Sequence, residues 1–301
     1  MNPLPKLRPG ADLVFRRLFN EDHGCRLLIS LLNAILGYPE GRRIRRLKLL
    51  RAHVAGALHG DKEVVLDVRA EGEDGRIFHI EVQVCLNACY RERILFYWAG
   101  MYSGQIATGE GYSDLRAVTS VHILFFTLFK AREHAGFHHV FRARADGDNA
   151  ILSPQMEIHT IELPKLPDLP EGQDCPKGQK WLYWLKHGDE MTQEEVQRLG
   201  VPEIMEAERK LELISQDREL RIEYERRRMA HHDAVSLTRD SRYEGLREGK
   251  KETLAEAIVD MCELLGLPVS PQQKAKVDGM DLAELEKLRL HLKQTRSWPT
   301  S

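Results

Sequence analysis

Two carboxylates and an amide stand where a β-hairpin ordinarily keeps apolar side chains. In KEVVLDVRAEGEDGRIFHIEVQV (62–84), apolar and polar residues alternate on both sides of a Glu73-Asp74-Gly75 turn, the pattern of two half-buried antiparallel strands. Asp67 falls in the middle of the first strand and Glu81 and Gln83 in the second, although carboxylates are poor strand residues. Side chains alternate across a strand. Burying Leu66 and Val68 together with Ile80 and Val82 requires Leu66 opposite Val82 and Val68 opposite Ile80, and that register sets Asp67 directly across from Glu81. A two-residue Asp74-Gly75 turn misses it by one. A three-residue loop with Gly75 left-handed supplies it.

Directly opposed side chains stand about 5 Å apart at Cβ, where like charges repel. A divalent cation offsets that repulsion, and Mg²⁺ commonly takes only one or two carboxylates alongside substrate phosphates. The chemistry is then hydrolysis: the ion activates water and neutralises phosphate charge, while the Gln83 amide positions the water without supplying a full charge. The same residues also read as a solvated acidic sheet face neutralised by Arg69 and Arg76. Spacing alone is compatible with both.

The flanking sequence supplies elements to hold the hairpin. Residues 12–37 read as two helices: Leu13, Leu18 and Phe19 recur at helical spacing in the first, and Leu28, Leu31, Leu32 and Ile35 in a second closed by Gly37. A basic run, GRRIRRLKLLR (41–51), follows. Its Arg42, Arg43, Arg45, Arg46 and Lys48 could make salt-dependent contacts to a nucleic-acid backbone, or form a solvated edge. After the hairpin, 89–109 reads as an amphipathic helix whose Phe96, Tyr97, Trp98 and Tyr102 mostly read as core, with base stacking the lesser alternative. Residues 118–129 read as a buried strand and 137–163 as two strands paired around Asp146-Gly147. The paired His138 and His139 lack the spacing of a helical metal site. Helices and strands alternate, so the expected fold is a mixed α/β core over 1–190.

Prolines 164, 167, 170 and 176 mark a surface linker, and 191–301 reads as a separate helical region. There Leu254, Ile258, Met261 and Leu265 form a narrow apolar seam, so self-association as a dimer through these helices is expected, and Asp281 caps a last helix.

The net charge of −2 over 301 residues gives no global attraction to nucleic acid, so such binding must come from local patches. Five cysteines without a CxxC pair argue against a disulfide framework and for a reducing compartment. The opening MNPLPKLRPGADLVFRRLF has no uninterrupted apolar core, and VTSVHILFFTLF (118–129) is too short to cross a bilayer. A cytoplasmic protein without membrane contact is expected.

The arrangement Asp, turn, Glu-x-Gln resembles the PD-(D/E)XK nuclease superfamily. DLVFRRLF (12–19), LISLLNAILG (28–37), the hairpin itself, RILFYWAGMYSGQIATGEGYSDLRAVTSVHILFF (93–126) and IHTIELPKL (158–166) resemble, in that order, the Rpn family of recombination-promoting nucleases and transposases. YEGLREGKKETLAEAIVDMCELLGL (243–267) is similar to that family's helical tail. The resemblance implies a restriction-endonuclease-like α/β core, a mixed central sheet flanked by helices, with a helical C-terminal region. It implies a Mg²⁺-dependent DNA endonuclease, with Mn²⁺ as a substitute, acting on double-stranded DNA. Asp67 and Glu81 would hold the metal, Gln83 would take the place of the superfamily's lysine, and Asp12 would be a further acid near the site. Because an amide supplies no full charge, the site could borrow a cation such as Lys62. The competing function is a DNA-binding or assembly module that keeps the nuclease fold without turnover.

Overall fold

The structure, a computed structural model, describes residues 4–20, 25–50, 53–54, 64–65, 68–86, 89–132, 134–169 and 175–299. The chain divides into two compact units, Met1–Tyr224 and Glu225–Ser301.

The first unit is built on a mixed six-stranded sheet. Its strands are β1 (Leu47–Leu49), β4 (Val68–Gly72), β5 (Ile77–Gln83), β6 (Val118–Leu124), β8 (Met156–Glu162) and β7 (His138–Phe141), in that spatial order. The two hairpins pair antiparallel, whereas β5–β6 and β6–β8 run parallel. A separate two-stranded pair joins β2 (His53–Val54) to β3 (Val64–Val65). The central strands carry continuous runs, IFHIEVQ and VTSVHIL, because both of their faces are covered.

On one face, Val68, Ala70, Phe78, Ile80, Val82, Val121, Ile123 and Ile161 form a single core with helices α1 (Asp12–Phe19), α2 (Cys25–Leu36) and α4 (Lys177–His187). α2 ends at Gly37, whose φ of 60° is the left-handed closure expected of it. The opposite face is covered by α3 (Tyr90–Ser103), through Ile77, Met101 and Val118 and through Tyr90, Ile94, Leu124 and Ile158.

The β4–β5 hairpin has the register expected from the apolar pattern. Val68 pairs with Ile80 and Glu71 with Ile77, and Gly72 and Arg76 close a three-residue loop in which Gly75 has φ 78°.

Three expectations give way. The stretch expected as a surface linker is partly core: Leu166 and Cys175 are buried, and α4 begins inside it at Lys177. Gly178 lets α4 approach α2, since a Cβ there would lie 2.5 Å from the Ala34 carbonyl oxygen. The expected boundary at 190 falls within the first unit, because Val196 and Leu199 of α5 (Gln193–Arg198) and its flank, and Ile204, Ala207 and Leu211 of α6 (Pro202–Ser215), complete the same core.

The C-terminal seam is internal. Leu254, Ile258 and Met261 of the 47-residue α7 (Arg218–Leu264) pack with Val277 of α8 (Pro271–Gly279) and Leu285, Leu288 and Leu292 of α9 (Leu282–Thr295). Asp281 caps α9 through a capping box with Glu284, as expected. The seam therefore gives no reason for a dimer: an apolar stripe that looks unpaired in one helix is covered by the two that follow. Ile258→Ala is expected to destabilise this unit by about 2–4 kcal/mol through cavity formation. Hydrogen exchange should show protection lost in α8 and α9 peptides, with the sedimentation coefficient unchanged. A fall in sedimentation with protection intact would return the seam to an interface between chains.

Among the described residues, no helix is long and apolar enough to cross a membrane.

Candidate active site

β5 places Ile77, His79, Glu81 and Gln83 on the face beneath α3, and the parallel register aligns them with Val118, Ser120, His122 and Leu124 of β6. Glu81 is only 4% exposed. A carboxylate that deep must be paired. Arg93 of α3 donates from Nη2 to Glu81 Oε1 at 2.8 Å, and His79 Nε2 lies 3.3 Å from Glu81 Oε2. Arg93 is held in turn by aromatic faces, its Cζ 5.0 Å from the Tyr97 ring centre and 5.8 Å from that of Tyr90. The Arg93 side chain is 32% exposed, so the pair runs from the buried carboxylate towards the surface.

His122 stands beside Glu81 on β6, its Nδ1 3.3 Å from the Tyr90 hydroxyl. Burial, then the nearby His79, Arg93 and His159, hold its pKa well below the usual histidine range, so its ring is neutral at pH 7. Four buried polar atoms on this face have no hydrogen-bond partner among the described residues: Arg93 Nε, His122 Nε2, Thr160 Oγ1 on β8 and Arg69 Nε on β4. Such unmet capacity is costly in a core and common where a polar ligand or water is handled.

Gln83 ends β5 half-buried, its carbonyl accepting from the Phe125 N–H at 2.9 Å. Glu81 and Gln83 thus share a face as expected, whereas Asp67 and Lys62 lie outside the described residues. Asp12 opens α1, which packs on the other face of the sheet, and pairs with Arg16 at 3.4 Å. Arg42, Arg43, Arg45, Arg46 and Lys48 are all exposed. They lead into or lie on edge strand β1, where Leu47 pairs with Gly72 beside the hairpin loop. That is the end of β5 away from Gln83, about 20 Å along the strand at the usual rise per residue.

A divalent ion needs oxygen donors. Among the described residues, no group of three acids, histidines or cysteines could hold one, and both Glu81 oxygens face nitrogen. Glu81 fits such an ion only with a second carboxylate, the place expected for Asp67.

Sequence reasoning missed Arg93, His79 and His122. A signal was present: Arg93 lies three residues after Tyr90 and four before Tyr97, on the stripe of α3 that meets the sheet. Phe96, expected in the core, is 59% exposed, because the buried stripe runs instead through Tyr90, Ile94 and Met101.

A second polar cluster lies on the opposite face. Glu157 of β8 accepts from the Tyr38 hydroxyl at 2.6 Å and from Arg142 Nε and Nη2 at 3.0 and 2.7 Å, and lies 3.0 Å from His159 Nε2. His159 Nδ1 in turn meets His138 Nε2 at 2.8 Å. Burial alone would raise the Glu157 pKa, but the bonds from His159, Tyr38 and Arg142 hold it well below the carboxylate range. Burial, then His159 and His139, lower His138 from 6.5 to about 4. The unfolded chain therefore takes up this proton first as pH falls, and stability is lost between about pH 6.5 and 4. His138→Gln is expected to make the fall in melting temperature over that window shallower in calorimetry. An unchanged slope would assign the titration to another group.

No curated protein and no solved structure matches the chain. The mixed six-stranded sheet flanked by helices agrees with a match to the family described as PD-(D/E)XK nuclease family transposase, which spans residues 9–241, and the chain belongs to that family.

Proposed function

We propose that this chain is a divalent-metal-dependent endonuclease that hydrolyses phosphodiester bonds in double-stranded DNA during recombination or transposition. One observation supports the reading: β5 buries Glu81 on the face where the apolar pattern was expected to set two acids together, with Gln83 on the same face. Asp67 and Glu81 are the residues that would hold Mg²⁺ or Mn²⁺. When bound, the ion supplies the Lewis acidity that lowers the pKa of water and neutralises phosphate charge. The Gln83 amide orients the attacking water. Tyr97 and Tyr90 brace Arg93 at the mouth of the site, and the basic run towards β1 offers sequence-independent contacts to phosphates farther along the duplex.

A second reading, a DNA-binding or assembly module without turnover, is favoured by one fact: both Glu81 oxygens already meet nitrogen partners. Plasmid nicking separates the two. Full-length protein is expected to nick supercoiled DNA with Mg²⁺ or Mn²⁺, and chelation should stop it. Asp67→Ala should remove cleavage while leaving the fold intact, and without metal it should melt no lower than wild type, because repulsion with Glu81 is relieved. Cleavage surviving in Asp67→Ala would move the chemistry elsewhere.

A further inference from the structure

We infer that Arg93 of α3 is the catalytic cation of this site, placed to bind a non-bridging oxygen of the scissile phosphate while it neutralises Glu81. The inference rests on the endonuclease reading above and adds a residue to it. Phosphodiester hydrolysis builds negative charge on the phosphoryl oxygens, and a preorganised cation in a water-poor site is among the strongest ways to stabilise it. On β5 itself Gln83 is neutral, so it orients water without supplying that charge. Arg69 shares the face but makes no ion pair with Glu81 among the described residues. Arg93 does, at 2.8 Å.

Its donor capacity is largely unspent. A guanidinium carries five N–H donors in a planar fork that suits phosphate bidentately. One of these bonds engages Glu81, while Nε is buried without a hydrogen-bond partner among the described residues. The aromatic contacts to Tyr90 and Tyr97 fix the plane of the group independently of Glu81, so Arg93 stays in place when the carboxylate turns to other partners. Its partial exposure gives a phosphate access from solvent. A purely structural ion pair pinning α3 to β5 would need the Glu81 contact but not the idle donors.

The test is single-turnover nicking by full-length protein at saturating Mg²⁺, together with Mn²⁺ titration followed by melting temperature. Arg93→Gln is expected to lower the cleavage rate about 100-fold with little change in DNA affinity, as for loss of one transition-state donor. It should also bind Mn²⁺ at lower concentration than wild type, because a cation competing for Glu81 has gone. Arg93→Lys should retain part of the rate. The double variant Arg93→Gln with Gln83→Lys should recover at least tenfold over Arg93→Gln alone, since it returns a cation to the same face. Wild-type cleavage with an Arg93→Gln rate within threefold would overturn the inference alone. So would a double variant no faster than Arg93→Gln, or an Arg93→Gln protein whose Mn²⁺ midpoint does not fall. A wild-type protein that cleaves under no metal would overturn the endonuclease reading and this inference with it.

Discussion

Glu81→Gln is expected to reduce metal-dependent cleavage on the order of 10³-fold while the protein stays folded. A Lewis acid contributes several kcal/mol at a phosphoryl transition state, and each 1.4 kcal/mol is tenfold in rate. The amide keeps the shape of the side chain and an oxygen that can still accept from Arg93, but it removes the charge that holds an ion. Stability should fall too. Removing one partner of a fully buried ion pair costs about 3–5 kcal/mol. The Arg93 side chain is 32% exposed and rests on two rings, so it can turn partly to water, and a loss of about 1–2 kcal/mol is expected instead. DNA affinity by gel shift should hold or rise slightly, because a negative charge has left the phosphate's neighbourhood. Single-turnover nicking, gel shift and thermal melting together decide the point. Full cleavage in Glu81→Gln would leave Glu81 a structural acid tied to α3 and would favour the module without turnover.

The hairpin was legible because its signal is strict. With a period of two and one uniformly apolar face, a one-residue slip would move Val68 and Ile80 away from the core under α1, α2 and α4, so the register and the left-handed Gly75 followed from the apolar pattern alone. The face of Glu81 and Gln83 followed with it. The partners of Glu81 did not, because Arg93 reaches it from a helix, and only its place on the stripe between Tyr90 and Tyr97 sets it apart from Arg91 in YRERILFYW. The C-terminal seam misled for a related reason. Leu254, Ile258 and Met261 are indistinguishable in sequence from a dimer stripe until α8 and α9 are seen to fold back on them. The region after the prolines was hidden by composition: KGQKWLYWLKH is short and basic, and its lead-in, punctuated by proline, looks like a loop, yet it holds Trp181 and Trp184, both fully buried. Long-range burial decided that segment against its local punctuation.

Trp184→Ala is expected to bring the largest loss of stability, about 3–5 kcal/mol from the cavity alone, with more from the polar group left behind. Trp184 is 0% exposed and meets Trp181 edge-on at 5.7 Å, and Trp181 in turn meets Phe19 of α1 and donates to Ser30 of α2. The Trp184 indole N–H donates to Glu208 Oε2 at 2.7 Å, and Lys6 holds the other oxygen of that buried carboxylate at 2.5 Å. Removing the indole therefore opens a void beside Trp181 and α6 and strips one of the two side-chain partners that the buried Glu208 has among the described residues. Domains of ordinary stability hold only about 5–15 kcal/mol in total, so the first unit of Trp184→Ala should be near its limit at 37 °C. Trp184→Phe keeps most of the volume and loses the hydrogen bond, for about 1–2 kcal/mol. That milder variant carries the test of architecture. This core lies on the face of the sheet opposite Glu81 and Arg93, so Trp184→Phe should lower the urea midpoint while leaving the nicking rate at 20 °C unchanged. A rate that falls in parallel with the midpoint, under conditions where the variant is fully folded, would mean that the two faces are coupled through β5 and that the site depends on the core behind it.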